Sequence, residues 1–314
     1  MGSPLDGNND MERLQTLSSR IYSDQAKFFL NHFWNTFGEN EADNVWNYTQ
    51  KMEELDEKSG KKGNELGEMI AHRFLEQFGE TLTVRQLREV LRDIDIDTNK
   101  KVSLSEYLLF KFKVDWHELV NSVQGDQAQI AQAEKMLEEV QAALALAQEK
   151  NSSAKVAEDA AFSAEKTFKH AQEEVEATLA ELKNQEDTYA AKLADLEARS
   201  SSGGIVSRNK AKNEREQLLQ EDPLPLTRAK ISSEAALRKV EKARAPFKAT
   251  REAAVLVREE ADAALDAADD AFKKAADFLD EVKRTSQAKG SVWWLERELQ
   301  EAKKYLPQSR GGTR

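Results

Sequence analysis

Apolar residues in the first third of the chain recur at helical intervals. Phe29, Phe33 and Phe37 stand four apart, the spacing that stacks side chains on one face of an α-helix. Between Ile21 and Val120 aromatic residues crowd together, among them Phe28, Trp34, Trp46, Tyr48, Phe74, Phe78, Tyr107, Phe110, Phe112 and Trp116. That density predicts a compact, all-helical domain over residues 21–122. Asp43, ahead of Val45 and Trp46, and Thr83, ahead of Val84, read as helix starts. Residues 1–20 are polar and read as a flexible N-terminus.

After Gly125 the period changes. Ala133, Val140, Ala147, Ala154, Ala161, Phe168, Val175, Leu182, Tyr189 and Leu196 follow one another at seven-residue steps, a sustained heptad seam. A companion row, Ile130, Leu137 and Leu144, turns polar at Asn151, Glu158 and Glu165. No Gly or Pro interrupts Asp126 to Arg199, so a helix on the order of 110 Å long is expected at about 1.5 Å per residue. Ser200–Gly204 breaks it. A short helix over Arg208–Gln220 then leads to Asp222-Pro223-Leu224-Pro225, which reads as an extended stop. From Ala229 a second row runs through Val240, Phe247, Ala254, Ala261, Ala268, Ala275 and Val282, flanked by Leu237, Leu265, Phe272 and Leu279. Pro246 marks a kink or a helix start there.

Two Ala-rich seams joined by a break predict an antiparallel helical hairpin over 126–285, with its break at 200–227. Intermolecular coiled coils are the competing arrangement. A last amphipathic helix, Ser291–Leu306, carries Trp293 and Trp294, a pair that points to docking on another surface. A basic tail, Arg310–Arg314, completes a C-terminal segment over 290–314. The fold expected is all-α.

Composition narrows the function. The chain has no cysteine, which excludes disulfides, thiol catalysis and zinc–thiolate sites. No run approaches the roughly 20 apolar residues of a membrane span, so a soluble cytoplasmic chain is expected. Four dispersed histidines, His32, His72, His117 and His170, form no triad or metal spacing. Gly203-Gly204 lacks the strand and lysine of a phosphate-binding loop. An enzyme is therefore not expected. Charge is uneven: Arg199–Arg258 holds fourteen Lys/Arg and seven Asp/Glu, a local +7 that leaves −18 for the rest of a chain with net charge −11. Such asymmetry suits an acidic partner, although a solvated helix face gives the same pattern.

One segment carries metal chemistry. Asp95-Ile-Asp-Thr-Asn-Lys-Lys-Val-Ser-Leu-Ser-Glu106 fits the twelve-residue EF-hand loop, in which Ca²⁺ takes six to eight hard oxygen ligands. Asp95, Asp97 and Asn99 supply side chains at positions one, three and five. Lys101 offers its backbone carbonyl, Ser103 stands where a water bridges, and Glu106 brings both carboxylate oxygens. Val102 is the apolar residue expected to pair with a neighbouring loop. Val84, Leu87, Val90, Leu91 and Ile94 line the entering helix, and Tyr107, Leu108 and Phe110 the exiting one. Position six, normally glycine, is Lys100. A left-handed backbone there costs a non-glycine residue about 1–2 kcal/mol, so a sensor-like micromolar affinity is expected. The hand spans 83–116. Asp56–Glu68, within 52–79, reads as a degenerate partner hand: Lys58, Lys61 and Lys62 occupy ligand places, and Glu68 falls one residue late.

The chain resembles the calcium-regulated actin-bundling proteins. The likeness lies in Arg73-Phe-Leu-Glu-Gln-Phe-Gly-Glu-Thr-Leu-Thr-Val84, in the loop with Glu106-Tyr-Leu-Leu-Phe110, in Glu221-Asp-Pro-Leu-Pro-Leu226, in Ala229-Lys-Ile-Ser-Ser-Glu-Ala-Ala-Leu-Arg-Lys239 and in Trp293-Trp294. It extends over about Phe28–Gly312. The resemblance implies an F-actin cross-linker of the cytoplasm and cytoskeleton, weakened by calcium, with Asp95, Asp97, Asn99 and Glu106 as regulatory ligands. An actin filament is an acidic polymer, so the basic region is where contact is expected: Arg208, Lys210, Lys212, Arg215, Arg238, Lys239, Lys242 and Arg244. The chain is expected to be a monomer or to self-associate weakly. The rival reading is a calcium-sensing adaptor that takes a protein or an anionic membrane through the same region. Nucleic-acid binding is disfavoured, because no aromatics are interleaved with the basic residues.

Overall fold

The computed structural model describes residues 5–78, 84–125, 127–220 and 223–306, with only the backbone of Glu39, Val84 and Leu87. The expected helix start at Thr83, the Glu221 and Asp222 of the Pro-Leu-Pro segment, and the tail Arg310–Arg314 lie outside the described residues. So do the side chains of Val84 and Leu87. Among the described residues the chain is all-α, with ten α-helices and one two-stranded sheet. It divides into two compact units, Met1–Ala145 with Leu265–Arg314, and Leu146–Ala264. That division departs from the boundaries expected at 21–122, 126–285 and 290–314. The long helices contribute to both units, and the C-terminal helix belongs with the aromatic domain.

In the first unit, α1 (Asp10–Ser18) is followed by α2 (Tyr22–Leu55). From Leu5 onward the N-terminal stretch is thus not a flexible tail. Asn9 caps α1 by accepting from Glu12 N at 2.9 Å, and Leu5, Leu14 and Leu17 are buried. These three leucines supply the apolar anchor that the polar composition hides. Asp43 does not start a helix but lies within α2. The interruption is at Gly38, with φ 52° and ψ −152°, a backbone state open to glycine at little cost. The core joins Phe29, Phe33, Met52, Phe74, Ile94, Leu104 and Leu108 to Trp294.

Two helix–loop–helix segments follow. A 3₁₀ turn at Gly60–Lys62 and β1 (Glu65–Gly67) lead into α3 (Glu68–Phe78); α4 (Val84–Ile94), β2 (Lys101–Ser103) and α5 (Leu104–Phe112) make the second. β1 and β2 pair antiparallel, with Leu66 opposite Val102, both buried. The expected loop-to-loop pairing through Val102 is therefore present. After α6 (Trp116–Val120), the first unit also takes the start of α7 (Gln127–Ser201), the end of α9 (Leu224–Thr285) and all of α10 (Lys289–Lys303). Ile130, Ala133, Leu137, Val140 and Leu144 are buried on α7, and Ala268, Ala275, Leu279 and Val282 on α9.

Helix α10 packs on α2. Trp294 is fully buried, with its ring 4.7 Å from that of Trp46. Asn31 clasps the start of α10: its Oδ1 accepts from Ser291 N at 2.7 Å and its Nδ2 donates to Ser291 Oγ at 2.8 Å. A Cβ on Gly290 would stand 2.4 Å from the Leu30 carbonyl carbon and 2.5 Å from Asn31 N, so only glycine permits this approach. The tryptophan pair docks within the chain through Trp294.

The second unit is the helical hairpin. As position number rises along α7 it falls along α9: Lys150 pairs with Glu260 at 2.7 Å, Phe168 stacks on Phe247 at 5.1 Å, and Lys239 pairs with Glu174. Helix α8 (Ile205–Gln220) returns along the end of α7, where Tyr189 donates to the Leu218 carbonyl at 3.2 Å. Ala147, Ala154, Ala254 and Ala261 are buried as the seams require. Where Glu158 leaves the α7 companion row exposed, the flank passes to Ala157, Ala164 and Ala171, of which Ala171 is buried. Two expectations fail here. Pro223-Leu-Pro225 is no extended stop, because α9 begins at Leu224 and carries Pro225 in its first turn, where a missing N–H costs nothing. Leu237 is not part of a buried stripe but 47% exposed. Pro246 lies inside α9 rather than at its start.

Candidate metal centre and basic surface

The loop between α4 and α5 is wired by its own side chains. Asp95 accepts from Asn99 N (3.0 Å) and Lys100 N (2.9 Å), and Asp97 Oδ1 from Asn99 N (3.1 Å). Asn99 Oδ1 accepts from Lys101 N at 2.7 Å. These bonds hold Lys100 at φ 62° and Thr98 at φ 58°, so the left-handed backbone expected at Lys100 is present. A second one, at Thr98, carries no signal in the sequence.

Glu106 closes the loop from the first turn of α5. Its Oε1 accepts from Ile96 N (3.0 Å) and Asp97 N (3.4 Å), and its Oε2 from Ser103 N (3.0 Å) and Ser103 Oγ (2.8 Å). With Glu106 N donating to Ser103 Oγ at 3.2 Å, the two residues form a capping box. Glu106 is fully buried. Burial pushes its carboxyl up to about 7, with the Ser103 bonds offsetting part of the rise. Asp97 is also raised, first by burial and then by the charges of Asp95 and Glu65, while the Asn99 N–H opposes the shift.

Asp95, Asp97 and Glu106 bring ligand oxygens within 4.8 Å of one another. Asp97 and Glu106, both raised by burial, lower their energy when a dication joins them, and the hard-oxygen set suits Ca²⁺. The donors therefore fit the ion. The remaining expected ligands stand differently. The Asn99 amide nitrogen donates to Asp97 (3.2 Å) and to Glu65 (3.0 Å). Lys101 Nζ pairs with Glu65 at 3.1 Å. Ser103 is not open to a bridging water; it is fully buried, and its hydroxyl serves Glu106.

The partner loop at 56–68 is filled by protein. The Tyr22 hydroxyl donates to Asp56 Oδ2 at 3.3 Å, and Tyr22 N donates to the Gly63 carbonyl at 3.0 Å. Asp56 Oδ1 accepts from Ser59 N at 3.1 Å. Tyr22 is fully buried, and burial raises its phenol far above the usual range. With the first ligand position occupied by a phenol, the loop pairs with its neighbour through β1 and offers no comparable carboxylate cluster. Tyr22 was not foreseeable from the loop, which begins 34 residues later. Glu65, which ties the two loops together, was equally hidden.

The eight basic residues lie in the second unit, on α8 (Arg208, Lys210, Lys212, Arg215) and α9 (Arg238, Lys239, Lys242, Arg244). All are exposed except the half-buried Arg215. Lys210 and Arg238 each reach a carboxylate one helical turn away at 3.9 Å, and Lys239 pairs across the hairpin with Glu174. The other five make no ion pair among the described residues. They add cationic side chains to the faces of two helices.

Residues 129–277 match the family model described as F actin bundling C terminal. The match takes in most of α7, all of α8 and most of α9, and with them every basic residue named above. No curated protein matches the chain. Among solved structures, the 34 kDa F-actin bundling protein from Dictyostelium discoideum is similar at 19% identity, with 96% of this chain and 99% of that chain covered and a TM-score of 0.49. No described helix is long and apolar enough to cross a membrane.

Proposed function

We propose that this chain binds and cross-links actin filaments in the cytoskeleton, and that calcium at the 95–106 loop weakens the activity. The observation that carries the actin reading is the match of residues 129–277 to the F-actin bundling C-terminal family. The exposed cations of α8 and α9 fall in that stretch. They would meet the acidic filament surface, where charge complementarity raises encounter rates and selects the partner. Cross-linking needs a second surface, which we assign to the aromatic helix–loop–helix domain. The role is structural, not enzymatic.

Calcium would be held by Asp95, Asp97, Asn99, the Lys101 carbonyl and Glu106, with Ser103 beside them. The ion supplies two positive charges that offset the crowded carboxylates. The chain's own response is a rearrangement of Glu106 and the first turn of α5, changing the angle between α4 and α5. Co-sedimentation with actin filaments tests the reading: low-speed pelleting in chelator and reduced pelleting in calcium are expected. Absence of pelleting in both conditions overturns the actin reading, and equal pelleting in both overturns the calcium part. Anionic vesicles serve as a parallel arm, since tighter binding to them than to filaments would favour a membrane adaptor.

A further inference from the structure

We propose that Ser18, on a helix outside the loop, is a positioning residue for Glu106, so that α1 follows the occupancy of the loop; this rests on the calcium reading above. Four side chains carry the link. Ser18 Oγ donates to Ser103 Oγ at 3.1 Å, and Ser103 Oγ donates to Glu106 Oε2 at 2.8 Å. Ser105 Oγ lies 3.0 Å from Ser103 Oγ and 3.5 Å from Ser18 Oγ. Gln25 fixes the frame: its Oε1 accepts from Ser105 N at 2.9 Å, and its Nε2 donates to the carbonyls of Ser18 (3.1 Å), Arg20 (2.7 Å) and Asn64 (2.8 Å).

None of these groups has a solvent alternative. Ser18 is 1% exposed, and Gln25, Ser103, Ser105 and Glu106 are 0% exposed. A hydroxyl has one proton to give. Ser103 gives its proton to the carboxylate, the strongest acceptor in reach, and so accepts the proton of Ser18. The order of donation along the chain is thus set by Glu106.

Both oxygens of Glu106 are taken up by four protein donors. Bidentate ligation of Ca²⁺ requires those same oxygens, so bonds from Ser103 must be given up. The Ser103 proton then turns to Ser18, which becomes the acceptor of that bond and loses its own. The far end of α1 is held separately, by Asp10 accepting from Asn121 at 3.0 Å and pairing with His117 at 2.7 Å. Leu14 and Leu17 also remain docked. The change is therefore confined to the last turn of α1, where Ser19 N bonds to the Gln15 carbonyl and Arg20 N to the Leu17 carbonyl.

The test is amide hydrogen exchange on the full chain with and without calcium chloride, alongside calorimetric calcium titration. In the parent protein, exchange at Ser18–Arg20 is expected to quicken about threefold or more with calcium. Ser18→Ala abolishes that response and binds calcium about fivefold more tightly, because the ion-free state has lost about one neutral hydrogen bond. Thr16→Ala, which removes bonds to the Asp6 and Glu12 carbonyls on the same helix, keeps the response. Ser18→Cys, near-isosteric and a weak donor, replaces the alanine variant if that one does not fold. Calcium binding without any change at Ser18–Arg20, or an unchanged response in Ser18→Ala, overturns the inference while the calcium reading stands. No calcium binding by the parent protein overturns both.

Discussion

Gly290→Ala separates two opposed effects on α10. By helix propensity alone, alanine inside a helix is better than glycine by about 1 kcal/mol. The docking geometry predicts the reverse. The new methyl would sit 2.4 Å from the Leu30 carbonyl carbon, 2.5 Å from Asn31 N and 2.6 Å from Leu30 Cβ, against the 3.4 Å or more of ordinary contact. Two of these atoms are backbone, so no rotamer change relieves the clash and α10 must retreat by about 1 Å. Overpacking of this kind costs about 1–3 kcal/mol. Stretching the two Asn31–Ser291 bonds adds about 1 kcal/mol each if both are lost. A net loss of about 2–4 kcal/mol is expected, well beyond the propensity gain. All five tryptophans, at 34, 46, 116, 293 and 294, lie in the first unit, so urea unfolding followed by tryptophan fluorescence reports that unit without interference. An equal or higher midpoint in Gly290→Ala, with an unchanged emission spectrum, would refute the close contact.

Glu106→Gln tests the buried carboxyl through pH. A folded-state value of about 7 against a reference of 4.5 means the folded chain holds the extra proton between these limits, so the penalty is absent below about pH 4.5 and full above about pH 7. With about 1.36 kcal/mol per unit, Gln gains on Glu by up to about 3 kcal/mol in calcium-free chemical denaturation as pH rises from 5 to 8; a flat difference sinks the assignment. The same variant should lose the calcium-induced rise in melting temperature. Lys100→Gly removes a left-handed non-glycine residue. It should raise calcium affinity several-fold in calorimetry and change calcium-free stability by less than about 1 kcal/mol, since strain relief and unfolded-state entropy oppose; weaker calcium binding would count against the loop geometry. Reversing Arg208, Lys212, Lys242 and Arg244 together to glutamate should weaken filament pelleting at least about tenfold and flatten its salt dependence, whereas unchanged pelleting would place the contact elsewhere.

Periodicity made most of the architecture legible. The heptad rows of α7 and α9 predicted both long helices and an Ala-lined contact, because a sustained seven-residue repeat keeps one apolar stripe facing a partner helix, while the tertiary structure placed that partner in the same chain. The carboxylate cluster of the Asp95–Glu106 loop was equally readable, since its oxygen donors are close in sequence and their spacing sets the geometry. Local signals misled where tertiary contact decided. The N-terminal stretch looks polar, yet three leucines pin it to the core. Asp43 looks like a cap, yet α2 breaks at Gly38 instead. Leu237 sits in a heptad row, yet the hairpin turns it outward.

The loop from Asp95 to Glu106 shows where the division falls. The sequence by itself determined the set of oxygen donors, the non-glycine residue at Lys100 and the expectation of a paired neighbour at Val102. Only the tertiary structure decided which loop of the pair gathers a carboxylate cluster. It placed Tyr22 in one and sealed Ser18, Ser103 and Ser105 behind Glu106 in the other. Such partners lie 34 to 87 residues apart, beyond any periodicity, and they meet because apolar burial of α1 and α2 carries their polar side chains into a space without water.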